Sequence, residues 1–371
     1  MFQTQVYLVT ASINPLENLS KLRDCSSIEA KILVIDEGNE NVRKVNEKLL
    51  SGVHHEFYGP RERAKWFKDR FGKSYRKYLK LIPEKCHAES SFGFLKAYED
   101  GATIILELDD DVYFSSGFLE AHIDNLSNDD GVTVNASGRW YNTIENLTLN
   151  GGQNIFPRGH PYDPACRREN YVWTNDGGKC VLNMGLWSAQ PDLDALTILY
   201  CGGLDGKCAI ESRGHKRDKV IVGKGTYFAI CSMNTSFLPK IVPAFYQLCM
   251  NFNNIDRFDD IWSGVFLKKI ADHLGDNVCL GKPSGRHVKR GRSIFKDLQK
   301  EVNGLEMNEH LWKVCDTAEF SAKSYADCYL ELADHLSRNL DKLAKRIEHV
   351  KFWKVQMENM RKWVEVVDKI S

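Results

Sequence analysis

The amino-acid sequence predicts an α/β fold with a doubly wound sheet. Three apolar runs, at residues 6–13, 31–38 and 102–108, have the composition of buried strands, and residues 16–24 have a helical period. Strands that alternate with helices are typical of parallel sheets covered on both faces. Between about 132 and 250, short β-like runs such as 132–135 and 226–231 predict a mixed second half that completes a ligand pocket.

The third apolar run leads directly into three consecutive carboxylates, Asp109, Asp110 and Asp111. Their negative charges repel one another unless a cation lies among them. Open α/β sheets bind ligands at the carboxyl ends of their strands. A hard divalent ion such as Mn²⁺ or Mg²⁺ suits this cluster, with a ligand diphosphate supplying further oxygens. A metal site is therefore the favoured interpretation, and a solvated acidic turn is the alternative.

Glycine-rich phosphate-binding motifs are absent from the sequence. No Gly-x-Gly-x-x-Gly follows either of the first two runs, and residues 223–225 lack the upstream glycine of a P-loop. The absence argues against a dinucleotide-binding dehydrogenase and against a P-loop enzyme. Acidic strand ends without such a glycine loop indicate that a diphosphate would be bound through metal.

The composition of the chain indicates which partners and which location to expect. The 371 residues have zero net charge, so no global field attracts nucleic acid, and no nucleic-acid partner is expected. No apolar run approaches the ~20 residues of a membrane span. Residues 1–5 lack the basic region of a secretion signal, and eleven scattered cysteines without zinc-like spacing favour reduced thiols. We therefore expect a cytoplasmic location.

The last 67 residues contain neither glycine nor proline, which predicts a helical C-terminal extension (305–371) after a main domain (1–304). This extension would pack on the main domain or pair with a second subunit in a homodimer. An aromatic cluster at Phe352, Trp353 and Trp363 beside lysines leaves peripheral membrane contact as an alternative to packing. The near-heptad apolar stripe comprises Leu336, Leu340, Leu343, Ile347, Val350, Met357, Val364 and Val367.

Several segments together resemble the reversibly glycosylated polypeptides, which include the plant UDP-arabinopyranose mutases and microbial relatives. The matching stretches, in the family's order, are 108–111, 156–161, 185–197, 225–234, 257–264, 271–275 and 295–301. The resemblance covers roughly residues 5–305 and leaves the C-terminal helices outside. It implies a GT-A-like fold, a nucleotide-sugar-binding α/β sheet with an Asp-x-Asp metal site. The predicted fold class is thus a GT-A-like doubly wound mixed sheet with a helical C-terminal extension.

One departure from the family concerns the arginine that becomes glycosylated in plant members. That arginine lies seven residues before a second arginine, which Arg158 matches here, and its own position is occupied by Gly151. Glycine has no side chain to glycosylate. Self-glycosylating mutase activity is therefore less expected than transfer to a separate acceptor.

The resemblance suggests roles on the metal and diphosphate side. Asp109 and Asp111 would bind the metal, with Asp110 nearer the ribose or sugar. His287 lies where relatives have a histidine after the last sheet strand and would complete the metal shell, unless it is a surface residue of the basic run 286–290. Arg286, with its neighbours Lys289 and Arg290, would hold the diphosphate.

Roles follow for the sugar, the acceptor and the nucleoside as well. Asp259 and Asp260 precede Ile-Trp at a predicted helix start; Asp260 would be the general base of a transferase, and helix capping is the alternative for the pair. Asp192 and Asp194 would contact sugar hydroxyls, and a helix cap is the alternative for Asp192. Arg158 would contact a phosphate or sugar. Uracil or ribose would be bound by Thr10, Asp36 and Glu37.

The sequence therefore predicts a glycosyltransferase that depends on Mn²⁺ or Mg²⁺ and moves a sugar from a nucleotide sugar, UDP-linked, to a saccharide or other hydroxyl acceptor. A nucleotide-sugar mutase that interconverts pyranose and furanose forms is the first alternative. A non-catalytic subunit that binds nucleotide sugar and scaffolds partners is the second.

Overall fold

The computed structural model describes residues 5–151 and 154–371, in which the strands form one large mixed sheet with helices packed around it. The strands are β1 (Val6–Ser12), β2 (Ala30–Asp36), β3 (His55–Tyr58), β4 (Ile104–Leu108), β5 (Val112–Tyr113), β6 (Val132–Ala136), β7 (Leu147–Leu149), β8 (Tyr171–Thr174), β9 (Cys180–Ala189), β10 (Ser212–His215), β11 (Lys219–Val222), β12 (Asn234–Phe237) and β13 (Asn277–His287).

The α-helices cover this sheet and form the C-terminal part. They are α1 (Leu22–Cys25), α2 (Glu40–Leu49), α3 (Pro60–Phe71), α4 (Tyr75–Leu79), α5 (Ser90–Glu99), α6 (Phe118–Ser127), α7 (Ala195–Tyr200), α8 (Asp259–Leu274), α9 (Ile294–Asp316), α10 (Tyr325–Arg338), α11 (Leu340–Leu343) and α12 (Ile347–Ile370). None of these helices combines the length and the apolar character needed to cross a bilayer. The predicted α/β class, with a mixed sheet and C-terminal helices, is confirmed.

The strand order places several chain segments at one edge of the sheet. The main path runs β3-β2-β1-β4-β12-β9-β13-β11-β6-β8. Strands β3, β2, β1 and β4 are parallel to one another. Strand β12 is antiparallel to both β4 and β9, and β13 is parallel to β9. Strands β9 and β13 therefore run in the same direction as β4. The carboxyl ends of β1, β2, β4, β9 and β13 meet at one edge, where α/β sheets bind ligands.

The predicted strands at the start of the chain are found, but one later expectation is wrong. Residues 226–231 form no strand; Tyr227 makes only an isolated bridge with Trp140. The segment is apolar because it is buried beneath α8, where a Cβ on Gly264 would lie 2.6 Å from Ile230 Cβ. Its hydrophobic pattern reports burial rather than strand pairing.

The C-terminal helices pack on the rest of the same chain. Trp353 of α12 lies 5.2 Å from Trp262 of α8 between ring centroids, and Trp363 donates a hydrogen bond from Nε1 to the Val242 carbonyl at 2.8 Å. Phe352, Trp353 and Trp363 are fully buried, so they are not available to a membrane surface. Most of the apolar stripe is likewise buried within the same chain. The exposed stripe that suggested a homodimer is therefore not found.

The predicted boundary at residue 304 does not coincide with the end of an element. Gly304 lies inside α9, which continues from Ile294 to Asp316. The helix approaches Phe258 so closely at this point that a Cβ on Gly304 would lie 2.3 Å from Phe258 Cδ2. Helix α9 thus joins the main domain to the C-terminal helices without a break.

Gly304→Ala is expected to destabilise the protein by about 1–3 kcal/mol because the new methyl group overpacks the contact with Phe258. Alanine favours a helix interior over glycine by about 1 kcal/mol, so intrinsic propensity alone predicts the opposite sign. Urea unfolding measures the difference. Gly151→Ala is the control, since a Cβ there meets no described atom within 4 Å. A stabilised Gly304→Ala protein would contradict the close approach.

Candidate functional site

A cleft opens at the carboxyl edge of the sheet and brings together side chains from distant segments. We call it the central cleft; its volume is about 200 Å³. Strand ends, the start of α8 and the loop after β13 all contribute to it. Its lining comprises His87, Asp109, Asp111, Arg158, Asp192, Cys231, Ser232, Met233, Asp256, Arg257, Asp259, Asp260, His287, Lys289 and Arg292. Seven predicted site residues are among them.

Asp109, Asp111 and His287 form the acidic end of the central cleft. Burial, and then the charges of Asp109 and Asp110, raise the pKa of Asp111 to about 7. His287 Nε2 lies 3.7 Å from Asp111 Oδ2, and Nδ1 lies 2.8 Å from the Gln190 carbonyl oxygen. Because a carbonyl only accepts, Nδ1 carries the proton and the Nε2 of the neutral ring is free to bind a metal. Burial lowers the pKa of His287 and favours this neutral form.

These residues fit a hard or borderline divalent cation in donor type and in charge. The raised pKa of Asp111 shows that its charge is disfavoured there, so a positive ion beside the two carboxylates would be favourable. A neutral imidazole is a suitable third ligand. Within residues 5–151 and 154–371, no three His, Cys, Asp or Glu side chains already lie close enough to enclose a metal. Binding would therefore draw Asp109, Asp111 and His287 closer together.

His87 links the metal side of the cleft to α8 and was not predicted from the sequence. Its Nδ1 lies 2.8 Å from Asp259 Oδ2, and its Nε2 lies 3.8 Å from Asp109 Oδ1. Desolvation opposes protonation, but Asp259 and Asp109 outweigh it and hold the pKa of His87 well above its ordinary value. No motif surrounds this histidine in the sequence, so only the tertiary fold identifies it.

Arg158 is locked between two carboxylates in the floor of the cleft. Its Nη2 lies 2.9 Å from Asp192 Oδ2 and 3.4 Å from Asp260 Oδ2, and it also donates to the Arg257 carbonyl. All three side chains are buried. Burial disfavours charge on Asp192, but Arg158 outweighs this effect and lowers the pKa of Asp192. Arg158 therefore organises the cleft and is not a free side chain.

Asp259 and Asp260 begin α8, as predicted, and both line the central cleft. Asp260 accepts hydrogen bonds from the backbone N–H of Ser232 at 3.1 Å and of Ile261 at 2.9 Å. Burial raises the pKa of Asp260, Arg158 opposes the rise and Asp259 adds to it. The pKa of Asp259 is lowered because His87 outweighs burial. Adjacent carboxylates with opposite shifts are a recognised feature of acid–base sites.

Three cations form one wall of the central cleft, Arg257, Lys289 and Arg292, which we call the cationic wall. Burial, followed by the charge of Arg292, lowers the pKa of Lys289 to about 8. The predicted Arg286 does not belong to this wall. Its side chain is exposed, because successive residues of β13 point to opposite faces and His287 is the one that faces the cleft. Arg290 instead lies 3.2 Å from Asp110 Oδ1.

A second, larger cleft adjoins the first, with a volume of about 680 Å³. We call it the side cleft; it shares His87, Asp109 and Asp111 with the central cleft. Its other lining residues are Ala11, Ser12, Ile13, Glu37, Gly38, Asn39, Lys85, Cys86, Glu89 and Asp110. Asp110 accepts hydrogen bonds from the Ser12 hydroxyl and, at 2.9 Å, from Asn14 Nδ2.

The residues predicted for uracil or ribose are only partly placed in the side cleft. Glu37 lines it and is ion-paired with buried Arg63. Thr10 is fully buried inside β1 and lies outside the lining, and Ser12 occupies the strand end instead. Asp36 is buried and accepts a hydrogen bond from the Gly38 N–H at 3.1 Å, so it shapes the turn after β2.

Two further residues lie away from the central cleft. Asp194 is the N-cap of α7 and accepts from the Thr197 N–H at 2.7 Å, so the predicted sugar contact is replaced by a capping role. The cap suggested for Asp192 is therefore made by Asp194. Gly151 lines a separate surface cleft beside Asn150 and Asn154.

The fold and the site define an α/β protein with an acidic and cationic ligand cleft at the carboxyl edge of a mixed sheet. A family model described as Reversibly glycosylated polypeptide matches residues 69–371. Since the match spans most of the chain, the protein belongs to this family. The match continues through α10 to α12, whereas the sequence resemblance was expected to end near residue 305.

The chain is similar to several curated relatives at low identity. Probable UDP-arabinopyranose mutase 1 of Solanum tuberosum is 27% identical over 284 residues, which cover 72% of this chain and 68% of the relative. UDP-arabinopyranose mutase 3 of Arabidopsis thaliana is 30% identical over 251 residues, 64% of this chain and 62% of the relative. A crystal structure of S. aureus TarS 1-349 in complex with UDP-GlcNAc covers 99% of this chain and 84% of that chain, at 12% identity and a TM-score of 0.40, a level that carries no conclusion.

Proposed function

We propose that this protein is a metal-dependent glycosyltransferase that uses a UDP-sugar and a separate hydroxyl acceptor. The observation that carries the proposal is that carboxylates from two distant segments, 109–111 and 259–260, line one cleft with His287. The relatives' names support a UDP-sugar as the ligand. The GT-A-like fold implied by the sequence resemblance is part of this proposal.

The nucleotide would occupy the side cleft, with its diphosphate at the three residues that both clefts share. Asp109, Asp111 and His287 would hold Mn²⁺ or Mg²⁺, which when bound neutralises charge on the leaving diphosphate. His87 would keep Asp109 and Asp259 in place by contacting both carboxylates. Asp110, tied to Ser12, would face the ribose.

Asp260 would take the proton from the acceptor hydroxyl. A general base works best when its pKa lies near the operating pH, and burial moves the pKa of Asp260 in that direction. Arg158 and two backbone N–H groups fix the carboxylate in one orientation. Asp192, on the other side of Arg158, remains available to sugar hydroxyls at the cleft floor.

A separate acceptor is supported by the two positions that correspond to the plant arginines. Gly151 has no side chain and lines a different surface cleft. Arg158 is buried and engages two carboxylates, so attack on a sugar by its guanidinium would break both ion pairs. The mutase remains the second candidate, because the curated relatives named above are UDP-arabinopyranose mutases.

Incubation with a radiolabelled UDP-sugar and Mn²⁺ is expected to leave no stable label on the protein and to transfer label to an added saccharide acceptor. Scintillation counting of precipitated protein and chromatography of the acceptor provide the readouts. Ring-form analysis of recovered UDP-sugar by NMR tests the alternative in the same sample. Label that maps to an arginine, or pyranose–furanose exchange without acceptor, would favour the mutase.

A further inference from the structure

Two carboxylates of α9 pair with the arginines of the cationic wall through their Nε atoms. Glu301 Oε1 of α9 binds Arg257 at Nε, 2.6 Å away, and Asp297 Oδ2 of the same helix lies 2.5 Å from Arg292 Nε. The terminal nitrogens of the two arginines donate no hydrogen bond to any side chain in residues 5–151 or 154–371. Both arginines line the central cleft and have terminal N–H groups that could donate to a ligand.

Lys289 lies in the same wall and is nearly buried, with 8% of its surface exposed. Among the residues that the structure describes, none forms an ion pair or hydrogen bond with its ammonium group. An anion against the wall would give the Lys289 ammonium the ion pair that it lacks among the described residues.

The acids near this wall pair with its two arginines and leave Lys289 without an ion pair among the described residues. Asp256 lines the cleft and lies 3.1 Å from Lys300 Nζ, and Asp192 is ion-paired with Arg158. Glu301 and Asp297 pair with the arginines through Nε, and the terminal guanidinium nitrogens have no side-chain partner in the described residues. An external anion would thus meet the ammonium of Lys289 and the terminal nitrogens of two arginines at one place.

The position of the wall separates it from the proposed diphosphate site. The two clefts share His87, Asp109 and Asp111 among their lining residues, and the proposed function places the nucleotide diphosphate at these three. Arg257, Lys289 and Arg292 line the central cleft alone. The anion that they fit therefore lies beyond the diphosphate, at the sugar and acceptor end.

We propose that Arg257, Lys289 and Arg292 form a binding subsite for a phosphate or carboxylate group of the substrate, separate from the nucleotide diphosphate. Two guanidinium forks and an ammonium group match the oxygens of such an anion. The substrate class then includes a donor sugar that bears a carboxylate or an acceptor that bears a phosphate. The inference rests on the proposed function in placing the nucleotide in the side cleft.

Inorganic phosphate is the first probe, titrated into the full chain with and without saturating UDP and Mg²⁺, with the melting temperature as readout. Phosphate is expected to raise the melting temperature saturably in both conditions. Lys289→Met and Arg292→Met should weaken phosphate binding by about tenfold or more, as loss of a charged hydrogen bond does. Arg286→Met, an exposed cation of the same segment, is the matched control and should bind phosphate normally.

Three results would overturn the proposal: no saturable phosphate effect, competition between phosphate and UDP, or normal phosphate binding in Lys289→Met. Competition would assign the wall to the diphosphate itself. Failure of the proposed function would be detected separately, by titrating UDP with Mg²⁺ in the absence of phosphate. No rise in melting temperature in that titration would show that UDP does not bind.

The source of the anion is decided by two further titrations. If the donor carries it, a UDP-hexuronic acid should bind more tightly than the corresponding UDP-hexose, and Lys289→Met should remove the difference. If the acceptor carries it, a hexose 1-phosphate should bind to the UDP-saturated protein more tightly than the free hexose, with the same loss in Lys289→Met. Equal affinities in both comparisons would contradict an anionic substrate.

Discussion

Asp260→Asn is expected to lower turnover of UDP-sugar by about 10²–10⁴, the loss typical of a missing general base. The amide cannot accept the acceptor's proton. It also presents an N–H₂ group where Arg158 and the Ser232 N–H now donate, so the melting temperature should fall as well. Turnover must therefore be measured at a temperature at which circular dichroism shows the variant to be folded.

The matched control for this variant is Asp194→Asn. Asp194 is another buried carboxylate, but it caps α7 and lies outside the central cleft. Asparagine is as good an N-cap as aspartate, so both stability and turnover should stay near normal. If Asp260→Asn loses stability but keeps near-normal turnover, Asp260 has a structural role and is not the base.

Arg158→Met is expected to destabilise the protein by about 3–5 kcal/mol, because it leaves buried Asp192 and Asp260 without their cation. Urea unfolding at neutral pH measures the loss. Arg217→Met is the control: Arg217 pairs with Glu145 at 3.0 Å, but its side chain is 34% exposed, so its ion pair should contribute at most about 1 kcal/mol.

The effect of Arg158→Met should depend on pH in a defined direction. Arg158 lowers the pKa of Asp192 in the folded protein, so its stabilising effect is present above the unfolded pKa. It is lost as the pH falls through the folded pKa, below the ordinary aspartate value of about 4. The stability difference between wild type and variant should therefore narrow in acid. A small difference in unfolding free energy between wild type and Arg158→Met at neutral pH would contradict the two buried ion pairs of Arg158.

The sequence was sufficient to predict the acidic edge of the site. The strand before Asp109 was recognisable from its apolar run, and the rule that ligands bind at the carboxyl ends of strands supplied the rest. The start of α8 at Asp259 was predicted for a similar reason, since carboxylates favour the first turn of a helix. Both inferences depend on residues within one local segment.

Residues that act through tertiary contacts were not predictable. His87 lies on a short turn with no motif, and only the fold brings it between Asp109 and Asp259. Arg286 was predicted together with Lys289 and Arg290, although alternating burial from residue 286 to 289 places Lys289, and not Arg286, with His287. That alternation was visible in the sequence once His287 was assigned to the cleft.

The central claim, that Asp109, Asp111 and His287 hold a divalent cation for a UDP-sugar, is tested most directly by titrating UDP into the protein calorimetrically. We expect saturable binding with Mn²⁺, no measurable binding in EDTA, and none in Asp111→Asn with Mn²⁺, while the variant keeps its fold. The control Asp194→Asn should bind like wild type. Unchanged affinity for UDP in EDTA would contradict the claim.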